Sequence, residues 1–115
     1  MIARLPVTVT IDVSESTTIG ETDVNFNGVI LAYAITVPAL AGTTTVTLKL
    51  EDEDDVEWYS KASIAEGATT VVTLQNTDCN LNLPVFGTTT VQVTASGAQV
   101  ADQDITVVFL YNDGK

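Results

Sequence analysis

The 115-residue chain has no histidine and a single cysteine, Cys79. Without histidine the usual zinc-ligand sets and the Ser/His and Cys/His catalytic dyads are excluded, and one thiol closes no internal disulfide. Cations are scarce as well: Arg4, Lys49, Lys61 and Lys115 stand against 15 acidic residues, for a net charge of −11. A field of that sign repels phosphate, so neither nucleic acid nor an anionic membrane is expected as a partner; a partner steered by charge is basic or neutral. No apolar run approaches membrane-spanning length. The opening MIARLPVTVT reaches proline too early to form the apolar core of a signal peptide, so the expectation is a soluble protein made in a reducing cytoplasm.

What is abundant is threonine, at 19 positions. Its β-branched side chain suits a pleated, half-exposed surface and is poorly placed inside a helix. The length suffices for one core that buries roughly two-thirds of the unfolded surface, so residues 1–115 are expected to form one domain without staples.

Period-two alternation supports strands along most of the chain. Leu5, Val7, Val9, Ile11 and Val13 alternate with Thr8, Thr10 and Asp12. The polar segment that follows ends in Asn27-Gly28, a dipeptide that readily takes positive φ and so predicts a turn, with Ile19, Val24 and Phe26 in short strand contacts before it. Val29–Val37 is almost continuously apolar, as a strand covered on both faces would be, and Pro38 ends it. Val46, Leu48 and Leu50 point inward next, and Trp58 is in phase with Val56 after an acidic turn. Ala65–Gly67 is a second turn. Val72 and Leu74 follow, then Cys79, Leu81 and Leu83 up to Pro84, with Cys79 as a small core residue. Val91, Val93 and Ala95 lead to Gly97, and Ile105, Val107, Phe109 and Tyr111 form the last strand. GTTTVTLKL from Gly42 and GTTTVQVTA from Gly87 look alike, but both read as a glycine bend running into a threonine-coated strand and not as a repeat. With some eight strands and no helical crossover, the expected fold is all-β: a single antiparallel β-sandwich of about eight strands, of jelly-roll or immunoglobulin-like topology.

The candidate site residues fall in two groups. Asp52, Glu53, Asp54 and Asp55, with Glu51 and Glu57, crowd six carboxylates into seven positions. Calcium needs six to eight oxygens from a loop that wraps it, and this cluster has no glycine to make that bend, although a site shared with Asp23 or Asp78 is conceivable. A glycosidase-like pair needs carboxyls facing each other across a pocket, which neighbours on one tight turn do not do. The cluster therefore reads as a solvated turn that keeps a sheet edge from self-pairing and could meet a basic partner. No catalytic residue, metal site or cofactor is assigned, and no enzymatic activity is expected. The second group comprises Ile2, Arg4 and Leu5, in a candidate N-terminal arm over residues 1–5 able to add as a strand to a neighbour's sheet. Tyr59 joins it: Trp58 and Tyr59 point to opposite faces, and with Trp58 in the core Tyr59 faces outward, where Tyr33 or Phe86 could complete a stacking platform.

The progression ITVPALAGTTTVTLKLEDEDDVEWYSKASI, a middle strand pair, and VQVTASGAQVADQDITVVFLYN resembles small β-sandwich structural proteins of tailed bacteriophage virions, closest to head decoration proteins. The resemblance spans about Ile35 to Asn112. It implies a non-enzymatic protein on the outer capsid surface of the virion that binds the major capsid protein and ties neighbouring subunits together. It also implies homo-oligomers, a trimer fitting three-fold shell positions. The alternative is a carbohydrate-binding or tail/baseplate accessory β-sandwich used in host adhesion.

Overall fold

The computed structural model describes residues 2–74 and 83–113 and is built of antiparallel strands. They are β1 (Ile2–Ile11), β2 (Ile19–Val37), β3 (Thr45–Glu51), β4 (Glu57–Ala65), β5 (Ala68–Thr73), β6 (Leu83–Ala95) and β7 (Gln103–Asn112). They form one hydrogen-bonded path in the order β1-β7-β2-β6-β3-β4, with β5 also on β2.

The long β2 makes this path a sandwich. Its first part, Ile19 to Ile30, pairs with β6, whereas Ala32 to Thr36 runs between β7 and β5. A bulge between Ile30 and Ala32 marks the transfer, and an extra residue of this kind bends a strand. The two layers, β1-β7-β2-β5 and β2-β6-β3-β4, thus share one strand. Counting β2 once in each layer recovers the about eight strands read from the sequence, and the all-β sandwich is what the chain forms.

Alternation places the core where the layers meet. Val7, Val9, Ile11, Tyr33, Ile35, Ile105, Val107 and Phe109 come from one layer and Val46, Leu48, Leu50, Val91 and Val93 from the other, all buried. Full burial of such a side chain is worth about 1.5–3 kcal/mol, so this alternation is the main source of stability. Tyr33 and Tyr59 lie on strands that share no ladder, yet their hydroxyls are 2.8 Å apart and their rings meet edge-on at 5.9 Å, which fixes the layers face to face.

The loops at one end are held by two polar side chains. Gln99, only 2% exposed, accepts the Ala41 N–H at Oε1 (2.8 Å) and donates from Nε2 to the Gly97 carbonyl (3.0 Å), while its own N–H reaches the Thr17 carbonyl. Glu66 accepts the Leu40 and Thr44 N–H groups on its two carboxylate oxygens.

Several expectations are corrected. Asn27-Gly28 is not a turn: both residues lie inside β2, opposite Phe86 and Val85. A Cβ at position 28 would strike the Asn112 carbonyl, so this glycine serves a close backbone approach instead of a positive φ. Val29–Val37 is buried on one face only, with Ala32 and Ala34 half-buried and Thr36 exposed on the other. Pro84 does not stop a strand but sits near the start of β6, and Gly87, at φ 94°, lies within β6 and not at a bend before it. Gly42 and Gly67 do take positive φ at bends, as read. The free arm is not observed from Ile2 onward: Ile2, Arg4 and Leu5 belong to β1, opposite Asn112, Leu110 and Phe109, where they satisfy the outer edge of β7 and Leu5 packs on the core.

The Trp58/Tyr59 assignment is reversed. Trp58 is in phase with Val56, but Val56 is 56% exposed; Tyr59 is the buried residue and Trp58 is half-buried against the core margin. Leu50 pairs with Tyr59 and Glu51 with Glu57, so Trp58 is the extra residue of a bulge. A second irregularity between Val46 and Leu48 includes Ser63, at φ 60°, and restores Ile64 to the interior. The readings of Cys79, Leu81 and Asp78, and of the Phe86 side chain, lie outside the described residues.

Candidate docking face

The acidic turn is built from its own backbone. Asp52 accepts the N–H groups of Asp54 (2.9 Å) and Val56 (3.0 Å) on one carboxylate oxygen, and its carbonyl accepts the Asp55 N–H (3.1 Å). Asp55 takes φ 61°, which aspartate tolerates better than most residues. Glu53, Asp54 and Asp55 are exposed. Among the described residues no three acidic, histidine or cysteine side chains are grouped to hold a metal ion. Asp23, the proposed calcium partner, sits on the outer face of β2 and accepts the Thr90 hydroxyl at 2.7 Å.

This turn continues an acidic outer surface. On the β2-β6-β3-β4 layer the outward positions of successive strands align Glu21, Gln92, Lys49 and Ser60 in one row and Asp23, Thr90, Glu51 and Glu57 in the next. Glu51 and Glu57 are directly opposed like charges. Asp12, at the end of β1, has its carboxyl held below the usual range by the Ser14 hydroxyl (2.6 Å) and the Ser14 N–H (3.0 Å).

The other outer surface has a different character. The register of the β1-β7-β2-β5 layer sets Arg4, Leu110, Ala32 and Thr73 side by side, then Pro6, Val108, Ala34 and Val71, then Thr8, Thr106, Thr36 and Thr69. No carboxylate stands in these three rows; Asp104, one row further, accepts the Thr10 hydroxyl. Arg4, Ala32, Ala34, Val71, Val108 and Leu110 line a shallow groove of about 240 Å³, and Val71 is 70% exposed. Four strands about 4.8 Å apart and three rows about 6.8 Å apart give a face of roughly 20 by 20 Å, or about 400 Å².

Of the residues singled out in the sequence, Arg4 lies on this face, Ile2 is exposed at its margin and Leu5 points inward. Asp52, Glu53, Asp54 and Asp55 lie at the end of the opposite layer. Tyr59 is buried and carries no exposed stacking surface, and neither does Tyr33. The sequence reading missed Ala32, Ala34, Val71, Val108 and Leu110 as surface. The signal was present in the near-continuous apolar runs, whose second face was assigned to the core. A separate polar groove lies between Asn25, Asn27, Tyr111 and Asp113.

No family model matches the chain, and no characterised protein matches it by sequence. Among solved structures it is similar to a chain in the structure of infectious bursal disease virus Gx strain, with 10% sequence identity and a TM-score of 0.36. That alignment covers 100% of this chain and 33% of the viral one, so the chain spans about a third of its neighbour's length.

Proposed function

We propose that the protein is a non-enzymatic virion structural protein of a tailed bacteriophage. It binds the outer surface of the assembled capsid through the β1-β7-β2-β5 face and ties neighbouring major capsid subunits together. The observation that carries this reading is the sorting of charge: in a chain of net charge −11, one outer face is free of carboxylates over three rows and exposes apolar side chains, while the other bears Glu21, Asp23, Glu51 and Glu57. Six of the twelve positions on this face are apolar, with Pro6 and Val71 exposed and Ala32, Ala34, Val108 and Leu110 half-buried, and an apolar patch at the surface commonly marks a binding site. The acidic layer then faces solvent, away from the shell, and discourages further stacking.

The size of the face sets the mode of binding. At about 400 Å² it is half of what a standard stable interface buries on each partner, roughly 800 Å², so one contact alone is weak. Linked in the homo-oligomer that belongs to this reading, several such faces engage the shell together, and each anchored face raises the effective concentration of the next. Adding the purified protein to expanded empty shells of the virion tests this. Saturable binding and a higher temperature of shell breakage are expected; shells that behave alike under heat and mechanical stress with and without the protein would refute it.

A second reading, host adhesion through a glycan, is favoured by the groove of Asn25, Asn27, Tyr111 and Asp113. These residues combine amide and carboxylate hydrogen-bonding groups with one aromatic ring. A glycan array with no binding removes that reading.

A further inference from the structure

We infer that the protein docked on the β1-β7-β2-β5 face supplies a carboxylate to Arg4, and that this occupant is a different protein and not a second copy of the chain. The inference rests on the docking reading above and names the chemistry of its partner.

Among the described residues Arg4 is the cation of this face. It lines the same groove as Ala32, Ala34, Val71, Val108 and Leu110, so a surface seated in the groove meets its side chain. Among the described residues Arg4 has no ion pair within the chain. A guanidinium covered without a partner loses its hydration and gains nothing in return, a cost that weakens the contact. A carboxylate on the incoming surface removes that cost, and the planar fork of arginine engages it through two parallel N–H donors.

A second copy does not meet this requirement in either two-fold stacking with aligned strands; with the axis along the strands each row lies on itself, and Arg4 falls opposite Thr73 in a row that holds no acid. Two identical faces stacked antiparallel about a two-fold axis relate their rows in reverse order. If the apolar row Pro6–Val108–Ala34–Val71 is laid on itself, Arg4 falls opposite the Thr8 row, which holds no acid. If Arg4 is instead laid on Asp104 of the other copy, the apolar row falls on the threonine row. One register satisfies the charge and the other the apolar side chains, and neither satisfies both. The area points the same way: about 800 Å² in total lies below the roughly 1,200 Å² at which stable dimers begin.

The test measures binding of fluorescently labelled full chain to expanded empty shells over a range of salt, with sedimentation of the free chain alongside. Arg4 is exposed on the terminal strand, and far-ultraviolet circular dichroism checks that each variant folds. Arg4→Glu is expected to weaken binding at least about 100-fold and Arg4→Lys about 10-fold, because lysine keeps the charge but loses the bidentate fork. Arg4→Gln should weaken binding and flatten its salt dependence. Val71→Asp, which places an acid in the apolar row, should abolish binding and so tests the docking reading itself. If Val71→Asp abolishes binding while Arg4→Glu and Arg4→Gln bind as wild type, the carboxylate inference is overturned and the docking reading stands. If Val71→Asp binds normally, both fall. A free chain that dimerises and is made monomeric by Val71→Asp overturns the exclusion of a second copy.

Discussion

Replacing Gln99 by alanine should cost far more than its place in an irregular segment suggests. The side chain is 2% exposed and joins two loops through its amide, accepting from Ala41 and donating to Gly97, while its backbone N–H holds Thr17. Each lost side-chain hydrogen bond is worth about 1 kcal/mol net, and a group left buried without a partner costs about 1–3 kcal/mol. With some relaxation toward water, Gln99→Ala is expected to lose roughly 2–4 kcal/mol. For a domain of this length, about 4 °C per kcal/mol gives a drop in melting temperature of roughly 8–16 °C. Urea unfolding followed by tryptophan fluorescence reads the same quantity as a shift in midpoint at constant slope. The neighbouring Val100→Ser is the control, because Val100 is 87% exposed and its substitution should stay within about 0.5 kcal/mol. A Gln99→Ala protein as stable as that control would show that the amide does not hold these loops.

Three further outcomes are expected. Tyr59→Ala should cost about 3–5 kcal/mol as a core truncation, clearly more than Trp58→Ala at the half-buried bulge; equal costs, or the reverse order, in chemical denaturation would contradict the phase described for β4. Glu57→Lys removes a like-charge opposition to Glu51 and should add about 0.2–1 kcal/mol, a gain that shrinks in high salt, and a loss of stability would count against that pairing. Ser14→Ala removes the hydroxyl that holds the Asp12 carboxyl down, so nuclear magnetic resonance titration should show that pKa rising. Because the folded-state pKa is the lowered one, the Asp12 contribution is present above the ordinary carboxylate range and lost as pH falls, and Ser14→Ala should reduce it. An unchanged Asp12 titration would contradict this.

The strands with strict alternation were legible because period two reports burial directly: Val7, Val9 and Ile11, or Ile105, Val107 and Phe109, could face only one way. What failed were features set by distant partners. Asn27-Gly28 carries a strong local turn signal, but β6 and the Asn112 carbonyl hold it extended, and no neighbour in sequence reports that. At Trp58 a bulge inserted one residue between Glu57 and Tyr59, and one residue is enough to exchange the inside and outside of a strand. The docking face was obscured for a related reason. Ala32, Ala34, Val108 and Leu110 lie in almost unbroken apolar runs, which a doubly buried strand and a strand with an apolar outer face share. Only the register shows that their outward rows meet Arg4, Pro6 and Val71 on one surface. The acidic cluster was legible as a turn, whereas the role of Asp52 as acceptor for that turn's own N–H groups emerges only from its geometry.

The proposed docking fixes which side of the sandwich meets its partner. Electron cryomicroscopy of shells saturated with the protein resolves that orientation. The expected map has the rows of Arg4, Pro6 and Thr8 pressed against capsid subunits with an acidic side chain beside Arg4, and Glu21, Asp23, Glu51 and Glu57 in solvent. A map with the acidic layer against the shell and Val71 facing outward would contradict it.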